Sequence, residues 1–291
     1  MFADAPRIQH LSGGRLHLSH GPIDVVLRAW GADDAVEAAY KVASERFGAI
    51  LPELCAELAV LRAPFDPTRP PHSPVGVRMH AACRPFANSF VTPMAAVAGS
   101  VADELLAAMR GAADLDRAYV NNGGDIAVHC GPGHSLDIGV AGRFDRGPLP
   151  GLNGGVRIGH GDGIGGIATS GARGRSQSLG IADSVTVLAA DAAGADVAAT
   201  LIANAVDADH PAIVRLPASE LNPDSDLGDR PVTVEVGDLP DAMIAAALAK
   251  GLERAVDYRA HGLIADAALM LQDQAMTLSQ INQKTLQGRA A

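Results

Sequence analysis

Aromatic side chains are scarce in this chain: six Phe, three Tyr and one Trp make up 3% of 291 residues. A core must therefore be built from Val, Ile, Leu and Ala, with backbones able to approach closely. Cysteine is scarcer still, at three residues, Cys55, Cys83 and Cys130. An odd and widely spaced set excludes a disulfide framework and a paired-cysteine zinc site. Positive charge is outnumbered, with Lys+Arg 23 against Asp+Glu 33, a net charge of −10 and a pI near 5.4. That sign opposes nucleic-acid binding unless a local basic patch overrides it. Long apolar runs are missing too. The charge-free stretch Pro85 to Ala102 holds two Pro, an Asn, two Ser and a Thr, which is wrong for a membrane span. Met1 to His10 carries neither a basic nor an apolar leader segment, so a cytoplasmic location is the expectation.

What is abundant is apolar aliphatic residue and glycine. The chain is 48% hydrophobic, enough to exclude wholesale disorder. Glycine concentrates in one place, 18 of 32 falling between Asn121 and Gly180, where apolar residues also alternate. This reads as glycine-rich hairpins. Period-two alternation predicts a hairpin over Arg15 to Trp30, and strands over Val75 to Cys83, Arg117 to Cys130, Ser135 to Gly142, Gly155 to Ile158, Gly165 to Ser170, Ser184 to Ala189 and Val232 to Val236. Helical spacing predicts a helix capped by Asp33, a second over Pro52 to Leu61, one opened by Thr92-Pro93, one over Ala192 to Ala205 and one from Asp241. Leu263 to Leu271 fits either state. The expected class is α+β with a mostly antiparallel sheet and packed helices. One domain over residues 1–277 is expected, with subdomains near 1–115 and 116–277 as a variant and a polar tail over 278–291.

Three constellations could carry chemistry. Asn121-Asn122-Gly123-Gly124-Asp125 offers bare backbone beside an amide and a carboxylate, suited to a polar ligand. The same residues make an ordinary hairpin turn. Thr169-Ser170-Gly171, followed by Arg173, Arg175, Ser176 and Ser178, brings hydroxyls and guanidiniums together as an oxyanion would require. A polar bend explains them equally well. Gly161, Gly163 and Gly166 match G-x-G-x-x-G only formally, because a strand rather than a helix follows. Asp196 and Thr200, four apart on the expected helix, form a partial oxygen shell for a hard divalent cation. Asp196 could instead serve a helix terminus. Cys83 or Cys130 could carry a persulfide for sulfur transfer, or be small buried hydrophobes.

In order along the chain, Pro93 to Asp103, Asn122-Gly123-Gly124-Asp125, Ile167 to Gly171, the Ser/Gly stretch Gly174 to Gly180 leading into Ala182-Asp183-Ser184-Val185-Thr186-Val187, and Ala195-Asp196-x3-Thr200 resemble the ApbE flavin transferase superfamily. The resemblance is closest to its ApbE-like branch labelled as related to thiamine biosynthesis, and it covers about Ala81 to Val206. It implies an α+β fold and Mg²⁺ held by Asp196, Thr200 and the Ala98 carbonyl. It further implies a nucleotide or flavin site, for FAD or FMN, lined by Gly123, Gly124, Thr169 and Ser170; Asn122, Asp125, Gly171, Arg175, Ser176 and Asp183 complete the expected ligand-binding set. In that superfamily FAD is cleaved and FMN is attached to a threonine of a partner protein. Two features of the pattern differ here. Gly99-Ser100 stands in place of Lys-Gly, and no His-x-x-(Asp/Asn)-Pro-x-(Thr/Ser)-Gly element occurs between Ala172 and Val187. The expected ligand is thus a phosphate-bearing small molecule, with catalysis open, a homodimer expected, and a non-catalytic ligand-binding protein of the same fold as the alternative.

Overall fold

The N-terminal hairpin shows how the aliphatic alternation works. Leu16 and Leu18 on one strand and Val25 and Leu27 on the next are fully buried, while their neighbours on the other face keep solvent contact. The computed structural model describes residues 5–143, 151–174 and 176–278. Its strands are β1 (Arg7–Leu11), β2 (Arg15–His20), β3 (Ile23–Trp30), β4 (Arg117–Asn122), β5 (Asp125–Cys130), β6 (Ser135–Arg143), β7 (Gly151–Gly159), β8 (Gly166–Ser170), β9 (Ser184–Ala189), β10 (Ile213–Pro217), β11 (Pro231–Val236), β12 (Asp266–Leu271) and β13 (Gln274–Thr277). Its helices are α1 (Asp33–Ala56), α2 (Leu58–Leu61), α3 (Pro74–Cys83), α4 (Val97–Ala112), α5 (Ala192–Ala205), α6 (Ala218–Leu221) and α7 (Asp241–Ala260). The large sheet is antiparallel at every pair whose register is defined, as the composition suggested.

Two compact units are built from interleaved segments. The first takes Met1–Leu136, Ile158–Ala168 and Ala189–Val197. Its strands run in the order β1-β2-β3-β4-β5-β8. Helix α1 buries Ala39, Ala43, Phe47 and Ile50, and α4 buries Val101, Leu105 and Met109. Helix α4 packs on α1 and α3 and on strands β4 and β5. The second unit takes Asp137–Arg157, Thr169–Leu188 and Ala198–Ala291. There β9 pairs with β12 and β12 with β13, both antiparallel, and α7 packs on β12 and β13. Strands β10 and β11 pair separately, with an irregularity between Val214 and Arg215.

Several local expectations need correction. Val75 to Cys83 is not a strand but helix α3. Ser73 Oγ accepts the Gly76 N–H at 3.2 Å, and Pro74 occupies the first turn. Its buried residues Val75, Met79 and Cys83 recur every four positions, a helical period. No separate helix begins at Pro52, since α1 continues through it to Ala56. Pro52 lies on the exposed side while Phe47, Ile50, Leu51 and Leu54 keep one continuous buried stripe. The cap of α1 is Ala32 without a side-chain bond, and Asp33 is its first residue. Leu263 to Leu271 resolves as strand only from Asp266. Short strands β1, β10 and β13 were not foreseen. The C-terminal tail beyond 278 lies outside the described residues.

Candidate functional site

The Asn-Asn-Gly-Gly-Asp segment is a hairpin turn. Asn122 pairs with Asp125, and Gly123 and Gly124 take φ of 68° and 118°, which a side chain would strain. Asn121 Oδ1 accepts the Gly124 N–H at 2.9 Å. The space a Gly124 Cβ would enter is open. The turn's flanking residues are buried and face chemistry. Asn122 Nδ2 donates to the Ala98 carbonyl at 3.1 Å, and Asp125 exerts its charge on Asp196.

Helix α4 begins one residue before Ala98, so its first turn carries N–H groups without intrahelical partners. Asp196, from the first half of α5, supplies the acceptor. Its carboxylate takes the Gly99 N–H at 3.1 Å and the Ala98 N–H as well. The favour is returned one turn along each helix. Asp103 of α4 accepts the N–H groups of Ala192 (3.1 Å) and Ala193 (2.9 Å) at the start of α5. Asp191 Oδ1 accepts the Gly194 N–H at 2.7 Å. Each helix therefore lends a carboxylate to the other's positive terminus. The approach is close enough to require Gly99, whose Cβ would lie 2.2 Å from the Ala192 carbonyl oxygen.

Two of these carboxyls, Asp196 and Asp103, hold their protons more tightly than a free side chain does. Although solvent still reaches part of the residue, burial raises the Asp196 carboxyl well above the ordinary carboxylate range. The Asp125 charge pushes the same way, and the Gly99 and Ala98 N–H groups only partly offset it. Asp103 is raised to about 6, chiefly by burial, against the pull of the Ala193 and Ala192 N–H groups. Cys83, fully buried with Sγ donating toward the Thr92 carbonyl, is pushed up to about 12 by burial and by Asp196. Cys130 is raised by burial as well. Neither thiol is disposed to be a thiolate at neutral pH.

Of the expected site residues, the first unit gathers Ala98, Asn122, Asp125 and Asp196, with Gly123 and Gly124 in the turn between the two strand residues. The second unit holds the others that are described. There the Thr200 hydroxyl donates to Ser170 Oγ at 3.5 Å, and Thr169 Oγ1 lies 2.9 Å from Thr186 Oγ1. Gly171, at φ 154°, packs against the Asp183 carbonyl. Asp183 itself is a local staple: it accepts from Arg173 Nε at 2.7 Å and from the Gln272 N–H at 2.5 Å. Ser176 is exposed, and Arg175 lies outside the described residues. Asp103 and Asp191 were missed as members of the arrangement. The spacing Gly99-x3-Asp103, which puts a bare backbone and a carboxylate on one face of a helix, is the signal that could have found Asp103.

A hard cation fits the first unit's donors. Two carboxylates and a carbonyl are oxygen ligands, the carbonyl keeps a second lone pair beyond its Asn122 bond, and positive charge would relieve the repulsion between Asp125 and Asp196. The number of protein ligands is small: among the described residues no three His, Cys, Asp or Glu side chains gather as a metal cage.

Fold and site together define an antiparallel α+β protein with an acidic pair beside a helix N-terminus and a glycine turn. A family model described as AbpE bacteria matches residues 8–278, and the chain belongs to that family. Among curated relatives, the UPF0280 protein of Methanopyrus kandleri is 42% identical over 135 residues, 46% of this chain and 49% of that protein. The UPF0280 protein of Methanothrix thermoacetophila is 38% identical over 147 residues, covering 50% and 58%. The chain thus spans about half the length of these two relatives. A longer match joins it to the same UPF0280 family: the protein of Methanoculleus marisnigri is 36% identical over 202 residues, covering 68% of this chain and 78% of that protein. The apo crystal structure of the flavinyl transferase ApbE of Pseudomonas stutzeri aligns over 95% of both chains with a TM-score of 0.45 and 12% identity. Among the described residues no helix is long and apolar enough to cross a membrane.

Proposed function

We propose that this chain binds a phosphate-bearing nucleotide or flavin together with Mg²⁺ and transfers a group from it. The single observation that carries the reading is the Asp196 carboxyl, charge-disfavoured beside Asp125 yet aimed at the N-terminus of α4. Family membership supports the flavin-transferase-like direction. Asp196 and the Ala98 carbonyl would hold the cation, with Asp125 adding its charge. Bound Mg²⁺ would supply neutralisation of phosphate oxygens and so ease cleavage at phosphorus. The chain's own residues do the positioning. Asn122 fixes the Ala98 carbonyl, and the bare Gly124 backbone leaves room for a ligand against the turn.

The test is incubation with FAD and Mg²⁺, following FMN and AMP by chromatography, beside calorimetric titration of Mg²⁺ alone. The expected result is Mg²⁺-dependent ligand binding and turnover, both lost in Asp196→Asn. Ligand binding without conversion would favour a non-catalytic binding protein. Absence of Mg²⁺ binding in the wild type would overturn the metal reading.

A further inference from the structure

On the face of the first unit's sheet opposite its core, strands β3 and β4 carry Arg28, Trp30, Arg117 and Tyr119, while Leu27, Ala29, Ala118 and Val120 point into the core. The register places Arg28 opposite Tyr119 and Trp30 opposite Arg117. This is a two-by-two checkerboard of guanidinium and ring. Both guanidiniums stack on the indole, Arg28 at 4.3 Å and Arg117 at 4.6 Å from the ring centroid, and Tyr119 tilts against Trp30 at 6.0 Å. Arg15 on β2 adds a third positive charge that acts on Tyr119.

Three guanidiniums on one patch repel one another, and in a chain of net charge −10 such a patch is out of keeping with the whole. Among the described residues no carboxylate forms an ion pair with Arg15, Arg28 or Arg117. The acid on the same face of β3, Asp24, is taken by His17 at 3.1 Å. Arg15 spends two donors locally, on the Ser12 carbonyl at 3.0 Å and Ser12 Oγ at 3.5 Å, and Arg117 spends one, on the Ser135 carbonyl at 2.8 Å. Stacking on the indole fixes a guanidinium's plane and leaves its edge donors free, the disposition that suits bidentate binding of phosphate or carboxylate.

We infer that this face is a second ligand site, separate from the Asp196 carboxylates, for a small molecule bearing at least two negative charges beside a planar ring. The anionic groups meet the edges of Arg15, Arg28 and Arg117, and the ring packs on the aromatic pair. The inference uses neither Mg²⁺ nor Asp196, so it stands or falls independently of the function proposed above.

Trp30 is the chain's single tryptophan, so intrinsic tryptophan emission reports on this patch alone. The experiment titrates the whole protein, with a chelator present to exclude divalent cations, using ADP, inorganic pyrophosphate and adenosine as probes. The expected result is a saturable emission change with ADP, a weaker one with pyrophosphate and none with adenosine. ADP affinity should fall as sodium chloride is raised. It should also fall by about tenfold or more in Arg28→Gln and in Arg117→Gln. The milder Arg28→Lys, which keeps the charge and loses the planar fork, should weaken it as well. No saturable change with any anion overturns the site. So does an ADP response indifferent to salt, which needs no variant to measure. Equal affinity for ADP and pyrophosphate overturns the assignment of a ring to the ligand.

Discussion

Replacing Asp103 by Asn tests whether the crossing of α4 and α5 is held by a carboxylate that resists ionisation. Two effects oppose each other there. Burial favours the neutral acid, while the N–H groups of Ala192 and Ala193 favour the anion, and burial wins, leaving the group at about 6 against 3.8 for the free side chain. The folded state therefore binds this proton more tightly than the unfolded chain does. Its contribution to stability is present in full below about pH 3.8 and is lost as pH rises through about 6. A shift of that size corresponds to about 3 kcal/mol across the window. The assay is urea unfolding of wild type and Asp103→Asn between about pH 4 and pH 7, with chelator present, taking the difference between the two profiles. Asp196 titrates in both proteins, so the difference isolates most of the Asp103 part. The wild type should gain on the variant by up to about 3 kcal/mol as pH falls across that range. Parallel profiles would refute the reasoning. A wild type that loses ground on acidification would show that the two N–H bonds outweigh burial.

Three further outcomes follow from the same geometry. Gly99→Ala should destabilise by about 2 kcal/mol or more in thermal or urea unfolding, although Ala is the better helix former, because its Cβ would stand 2.2 Å from the Ala192 carbonyl oxygen. Ser73→Ala should cost about 1 kcal/mol, since Ser73 Oγ caps α3 at Gly76 and also donates to Glu57 at 2.6 Å. Cys83, with its thiol near 12, should resist iodoacetamide in the folded protein at mildly alkaline pH and react only on unfolding. Peptide mass spectrometry would show it, and rapid labelling of Cys83 in the native state would contradict its placement.

Much of the architecture was legible because the chain's alternation is clean. Strands β2 and β3 and helix α5 stand close to where the periodicity put them, and the turn at Gly123-Gly124 follows from two adjacent glycines between apolar strands. What local pattern could not settle was decided by neighbours. Helix α3 spans ten residues, and its β-branched and aliphatic opening, Val75-Gly76-Val77, reads as strand until the Ser73-Pro74 cap is weighed. Pro52 looks like a boundary, yet the buried stripe on either side holds α1 together past it. The Arg-Trp checkerboard has no linear signature, because Trp30 and Arg117 become neighbours only through the β3–β4 register.

The Asp196 carboxylate shows why a site of this kind is hard to separate from the fold that carries it. By spacing alone it is a candidate cation ligand together with Thr200, with service to a helix terminus as the competing explanation. The structure gives it that service, but to α4 rather than to its own helix, and Asp103 answers from α4 to the start of α5. Any cation at Asp196 would therefore bind to an oxygen donor that already holds the start of α4 in place. Truncation to Ala would remove the candidate ligand and uncap the first turn of α4 together, so a loss of Mg²⁺ binding in that variant would not distinguish the two. Asp196→Asn keeps an acceptor for the Gly99 N–H while removing the charge. Lost metal affinity with near-native stability in that variant is what a ligand role requires. Lost stability with unchanged affinity is what a purely capping role requires.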